Sequence, residues 1–168
     1  MRLPELSDLP PAPPHESHYA LRAAVSSDHG QLADLLSEAF GDGWDTERVA
    51  EEFSPGNGVE ATYVVVSPAG VVATASARCL PDRYPDAGYV HYVGARVSER
   101  GRRLGELITR RVLVHFVAAG LDQAVLETDD FRLPAVRTYL RLGFVPEPRT
   151  PGETRRWSKV LRNLASRT

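Results

Sequence analysis

A chain of 168 residues has room for one domain with a substantial core, and its 42% apolar and 25% charged residues are those of an ordinary globular protein. Its net charge of -2 offers no basic face for a nucleic acid, and its single cysteine excludes an internal disulfide framework and all but excludes a cysteine-based zinc site. No apolar run approaches the ~20 residues that span a bilayer, and nothing at the start reads as a signal peptide, so the expectation is a cytoplasmic protein without membrane or nucleic-acid partners.

Residues 1–18 contain Pro4, Pro10, Pro11, Pro13 and Pro14 and read as an extended lead-in, with the domain expected to begin at Tyr19. Tyr19 to Val25 reads as a short strand. Ser27 can cap a helix from Asp28 to Phe40, whose apolar stripe is Leu32, Leu35, Leu36 and Ala39. Gly41-Asp42-Gly43 breaks it, and a second helix runs from Thr46 to Phe53. Ala61 to Ser67, rich in valine, and Val71 to Leu80 read as a hairpin about the turn Pro68-Ala69-Gly70. After a polar loop, Pro81 to Asp86, a strand runs from Gly88 to Val97. Arg103 to Ala119 is a long helix closed by Gly120. Leu121 to Thr128 is a strand, and Leu133 to Leu142 a helix stopped by Gly143. Phe144-Val145 and Arg156 to Leu161 are expected to supply the last strands. Hairpins first and a helical crossover later imply a mixed sheet in a mixed α/β domain.

The informative stretch is Val93 to Leu107. An apolar strand runs into a Gly/Arg turn, and that turn opens a helix. The first turn of a helix leaves amide N–H groups unpaired and carries positive partial charge, so anions bind there. Gly101 and Gly105 let the backbone approach a phosphate, and Arg100, Arg102 and Arg103 add charge, as do Arg96, Arg110 and Arg111 nearby. A plain strand–turn–helix with solvated arginines is the alternative. The stretch has neither G-x-x-x-x-G-K-[ST] nor G-x-G-x-x-G with a following ribose-binding acid, which argues against a nucleotidase or dinucleotide domain.

Arg100-Gly101-Arg102-Arg103-Leu104-Gly105 resembles the acyl-CoA loop of the GNAT superfamily of N-acetyltransferases, Q/R-x-x-G-x-G/A. Leu133 to Phe144 is similar to that family's second signature: alanine (Ala135), tyrosine four residues on (Tyr139), then Gly143-Phe144. Thr128 to Phe144 also resembles mycothiol-synthase-like members. The resemblance covers Tyr19 to about Leu161. It implies one GNAT-like domain: a central mixed, strongly twisted sheet of six to seven strands flanked by about four helices. It further implies acetyl-CoA as co-substrate, with Val93, Gly94 and Ala95 pairing with the pantetheine arm. The amides of Arg100, Gly101, Arg102, Arg103, Leu104, Gly105 and Glu106 would face the pyrophosphate, and Tyr139 would protonate the departing thiolate. The alternative for Tyr139 is a helix aromatic packed beside Phe144. Two positions depart from the pattern: Arg103 stands where glycine is usual, and Arg132 where many members have asparagine.

The implied reaction moves an acetyl or short acyl group to a primary amine on a small molecule or peptide. It needs a base, and His91 is the first candidate, ahead of Glu127, Asp129 and water; the alternative for His91 is a half-buried strand residue paired with a neighbouring side chain. Trp44, Phe53, Tyr84 and Tyr89 are candidates for the acceptor pocket. His15 and His18 lack partners for a metal site, so none is expected. Cys79 reads as a core filler, and Arg111 and His115 point unexpectedly at the apolar face of their helix. A non-catalytic acyl-CoA sensor on the same fold is the competing reading. A homodimer through strand pairing is the quaternary expectation.

Overall fold

The fold is described from a computed structural model, over residues 1–41 and 43–166. Eleven elements alternate as β1 (Arg2–Leu3), β2 (Ala20–Ala23), α1 (His29–Phe40), α2 (Thr46–Glu52), β3 (Val59–Ser67), β4 (Gly70–Cys79), β5 (Ala87–Ala95), α3 (Leu104–Ala118), β6 (Gln123–Val125), α4 (Leu133–Arg141) and α5 (Pro151–Ala165). The six strands form one sheet in the order β1-β6-β5-β4-β3-β2. All neighbours are antiparallel except β5 and β6, whose crossover is α3. This is the expected mixed α/β architecture, with five helices.

Alternation along β3 assigns the two faces of the sheet. Tyr63 and Val65 join the core under α3, while Val64 joins the core under α1 and α2. Helix α3 presents Leu104, Ile108, Val112 and Phe116, one residue every turn, and all four are buried. Phe116 lies where a Cβ on Gly88 would stand, 2.4 Å from its ring, so the lack of a side chain at Gly88 lets α3 dock on β5. Helix α1 contributes Leu32, Leu35 and Leu36 to the other face. The expected cap Ser27 is replaced at the cap position by Asp28, whose carboxylate instead binds Arg22 and the Val25 amide. Of the expected Gly41–Gly43 break, Gly41 ends α1 in a left-handed conformation, and Asp42 lies outside the described residues.

Two expectations are corrected. Arg156 to Leu161 is not a strand but part of α5. Trp157, Val160, Leu161 and Leu164 recur at helical spacing, Pro151 occupies the first turn, and the Thr150 side chain caps the Glu153 amide. Residues 1–18 are not merely a lead-in. Arg2–Leu3 pairs with β6, Leu3 and Leu6 are buried, and Arg2 bridges to Val145, so Phe144-Val145 supplies a single bridge rather than a strand. The segment then crosses α3, where Arg110 Nε donates to the Pro10 carbonyl at 2.6 Å.

Candidate active site

The site begins with a defect in β5. Thr74 faces Gly94 and Ser76 faces His91, so a single β4 residue opposes Tyr92 and Val93 together. This is a β-bulge, and Tyr92 takes φ +45 to make it. The bulge turns His91 and Tyr92 to the same face, with ring centroids 4.0 Å apart. On its other side β5 pairs with β6 only from Ala87 to Tyr89. β6 ends at Val125, opposite Tyr89, so among the described residues no strand pairs with the β5 edge through Val93, Gly94 and Ala95 on that side. An open edge of this kind accepts an extended ligand as an added strand.

Beyond Ala95 the chain turns through Val97–Glu99 into the loop Arg100 to Arg103. Gly101 has φ +84 and Arg103 φ +58, so the position at which the family usually has glycine does require the left-handed region. Holding arginine there costs about 1–2 kcal/mol. Its side chain offsets part of that cost: Arg103 folds over the first turn of α3 onto Glu106, which also pairs with Arg141 at 3.2 Å. Glu106 is buried, with 5% of its surface exposed, so its charge needs both partners. The Arg103 guanidinium is thus directed to Glu106. The amides of Arg103, Leu104 and Gly105 have no acceptor among the described residues, and nothing lies within 4 Å of where a Cβ on Gly105 would stand. Unpaired amides at a helix start, with room before them, are what a phosphate needs.

Half of the expected basic cluster is neutralised by carboxylates within the protein, and Arg110 and Arg111 are engaged by a carbonyl and a ring. Arg96 binds Glu38 at 3.1 Å, Arg102 binds Glu16 and Glu99, and Arg111 lies over the Tyr63 ring at 4.1 Å. Arg100 alone of the loop arginines has no ion pair among the described residues. His115 joins Tyr63 and Glu60, both at 3.0 Å, which explains why it and Arg111 point inward. Cys79 donates to Glu60, and burial with that carboxylate pushes its thiol up to about 11, away from nucleophilic use.

Tyr139 lies on α4 with its ring packed edge-on to Phe144 at 6.0 Å. It is buried, yet its hydroxyl makes no hydrogen bond among the described residues. Burial pushes that hydroxyl up to about 12, opposed by the charge of Arg132. His91 lies among Phe53, Tyr89 and Tyr92, with Arg78 Nη1 3.5 Å from its Nε2. Burial first, and Arg78 second, push the imidazole down to about 4, so it is neutral at pH 7. Glu127 accepts from Arg83 at 2.5 Å, Tyr84 at 3.2 Å and Tyr89 at 3.5 Å. Asp129 pairs with Arg132. Glu127 is thus held by a cation and two hydroxyls and Asp129 by a cation, whereas His91 is uncharged.

The four candidate acceptor-lining residues fall into two groups. Trp44 and Phe53 cluster with Tyr92, while Tyr84 stacks on Tyr89 at 5.9 Å beside Glu127. Of these, Tyr84, with Glu127, borders a cleft of about 300 Å³ that also involves Asp130, Arg156 and Trp157. Sequence reasoning missed Tyr92, because nothing in the sequence marks a bulge, and it missed the reach of Arg132 to α1. Among the described residues no group of metal-binding side chains is assembled. No helix among them is long and apolar enough to cross a membrane.

A bulged strand, a parallel neighbour that ends short of the bulge and a helix start with unpaired amides are now joined by a sequence match: residues 30–144 fit the model of the Acetyltransferase (GNAT) family. The chain belongs to the GNAT acetyltransferase family. Enzymes of this family use acetyl-CoA as co-substrate. A mycothiol acetyltransferase of Gordonia bronchialis is 28% identical over 131 residues, 72% of this chain and 41% of the relative. Another, from Nocardia farcinica, is 40% identical over 65 residues, 39% of this chain and 22% of the relative. The chain thus spans well under half the length of these relatives. Among solved structures, a Trypanosoma brucei acetyltransferase superposes with a TM-score of 0.63 at 24% identity, covering 79% of this chain and 96% of that one. The glucosamine-6-phosphate N-acetyltransferase of Arabidopsis thaliana gives 0.61 at 18% identity, covering 79% and 95%. These structural likenesses speak to the fold.

Proposed function

We propose that the chain transfers an acetyl or short acyl group from acyl-CoA to a primary amine by direct attack, with no covalent enzyme intermediate. The observation that carries this reading is the open β5 edge leading straight to the unpaired amides at the start of α3. Pantetheine would pair with Val93, Gly94 and Ala95. The pyrophosphate would lie against the amides of Arg103, Leu104 and Gly105, with the loop from Arg100 to Glu106 around it. In this arrangement the thioester lies toward Tyr139.

The amine nitrogen attacks the thioester carbonyl carbon, the C–S bond breaks, and sulfur leaves with the electron pair. Tyr139 supplies a proton to that sulfur. An acid held at about 12 faces a thiol whose ordinary pKa is ~8.5, so full transfer runs uphill by roughly three to four units, about 5 kcal/mol. Tyr139 therefore acts chiefly as a hydrogen-bond donor while charge develops, and another group must hold the remaining charge. His91 accepts the amine proton as a relay to water. An imidazole held down near 4 is in its basic form at neutral pH but does not retain the proton.

The acceptor is a small molecule or peptide bearing a primary amine, and Tyr84, Tyr89 and Glu127 are suited to a cationic one. The relatives named mycothiol acetyltransferase place the unacetylated form of mycothiol in the first test panel. A screen of amines with thiol-release detection tests the reading. Acceptor-dependent CoA release supports it, and calorimetry showing no acetyl-CoA binding at millimolar ligand contradicts it.

A further inference from the structure

Arg132 stands where many family members have asparagine, and it reaches across to the end of α1, which packs on β5 beside its open edge. It is the residue preceding α4, seven positions before Tyr139 and so two helical turns away along the same face. Its Nη1 donates to the Ala39 carbonyl at 3.2 Å, in the last turn of α1. That turn lies on the open part of β5, since a Cβ on Gly94 would stand 3.4 Å from Ala39 and 3.6 Å from the Phe40 ring. The guanidinium sits over Phe40 at 4.7 Å, and its Nε binds Asp129 at 3.1 Å. With Asp129 more than half exposed and Ala39 contributing only a carbonyl, the guanidinium keeps donors for a ligand. The charge of Arg132 is felt at the Tyr139 hydroxyl, so an extended ligand on the β5 edge that reaches Tyr139 would come near this cation.

We propose that Arg132 stabilises the departing CoA thiolate, holding the charge left on sulfur when the C–S bond breaks. This rests on the reading of the open edge as the acyl-CoA site. The amine nitrogen forms the new bond to the acyl carbon and the electron pair of the C–S bond passes to sulfur. The sulfur is then paired with Arg132 while it shares the Tyr139 proton. The proton released by the amine leaves through His91 or water. Arg132 thereby supplies the charge stabilisation that a high-pKa tyrosine lacks. The other titratable groups around this edge are Tyr89 and His91 on β5, Glu127 after β6, and Asp129 beside Arg132. Of these, Arg132 and Tyr89 act on the Tyr139 hydroxyl, with opposite sign.

The test uses the full chain with CoA itself as the probe. The bound thiol is titrated by the ultraviolet absorbance of its thiolate, at CoA concentrations shown by calorimetry to saturate each protein. In the wild type the midpoint should fall below ~8.5. Arg132→Gln should raise it by about one unit or more, and Arg132→Lys should restore most of the drop. Asp129→Asn, on an exposed side chain, should move it the other way by unmasking the cation. Saturated proteins whose midpoint is the same in wild type and Arg132→Gln, or is unmoved by Asp129→Asn, would overturn the proposal. Failure of the wild type to bind CoA at all would instead sink the acyl-CoA reading on which it rests.

Discussion

The two ends of the proposed cofactor groove are built from different materials. At the phosphate end the donors are backbone amides, and the nearby arginines are mostly spent on Glu16, Glu38, Glu99 and Glu106. At the proposed thioester end the groups invoked are side chains from separate elements: His91 on β5, Tyr139 on α4 and Arg132, which precedes α4 and reaches to α1. The contrast teaches that charge in the sequence is a poor guide to where charge acts. Five arginines near the loop serve the fold or pair locally, and the one proposed to meet developing charge lies some thirty residues downstream.

That contrast can be broken. The largest expected effect is at the side-chain end. Tyr139→Phe should lower kcat by about 10²–10⁴ while the Kd for acetyl-CoA stays within about twofold, measured by thiol release and calorimetry. Unchanged turnover would remove the acid role. His91 offers a pH test of the same end. Its folded pKa of about 4 lies below the unfolded 6.5, so protonation favours the unfolded chain. The protein should lose up to about 3 kcal/mol as pH falls from 6.5 through 4, and His91→Gln should lose correspondingly less in denaturant melts at those two pH values.

Away from both ends, where α3 docks on β5, Gly88→Ala should cost about 1–3 kcal/mol of stability, because the added methyl meets the Phe116 ring. At the backbone end, Gly105→Val should fold normally and weaken acetyl-CoA about tenfold or more, by filling the space before the free amides. The smallest effect is expected at Arg102. With its guanidinium already held by Glu16 and Glu99, Arg102→Ala should change the acetyl-CoA Kd by less than about threefold. A loss as large as that of Gly105→Val would mean that charge, not backbone, makes this end.

How much was legible follows the same division. The Gly101–Gly105 spacing, the strand before it and the helix after it were readable, because backbone sites are written in glycines and periodicity. The motif even pointed to Arg103 as the departure, though only the structure shows φ +58 and the turn back to Glu106. The bulge at Tyr92 and the bridge from Arg132 to Ala39 were not readable, since both are tertiary facts without local signatures. Helix α5 was readable and misjudged: Thr150-Pro151-Gly152-Glu153 is a helix start, and Trp157, Val160, Leu161 and Leu164 keep its period. The edge strand at Arg2–Leu3 was hidden by the prolines that follow it, which bear on residues 4–14 and not on the two before them.

The central claim is that one extended ligand lies along the open edge of β5 and ends at the start of α3. Amide hydrogen exchange with and without acetyl-CoA tests it most directly. The account predicts new protection at Val93 to Ala95 together with Arg103 to Gly105, and little change on β2 and β3. Binding that protects neither segment, or protects the loop while leaving the β5 edge exchanging as before, would contradict it.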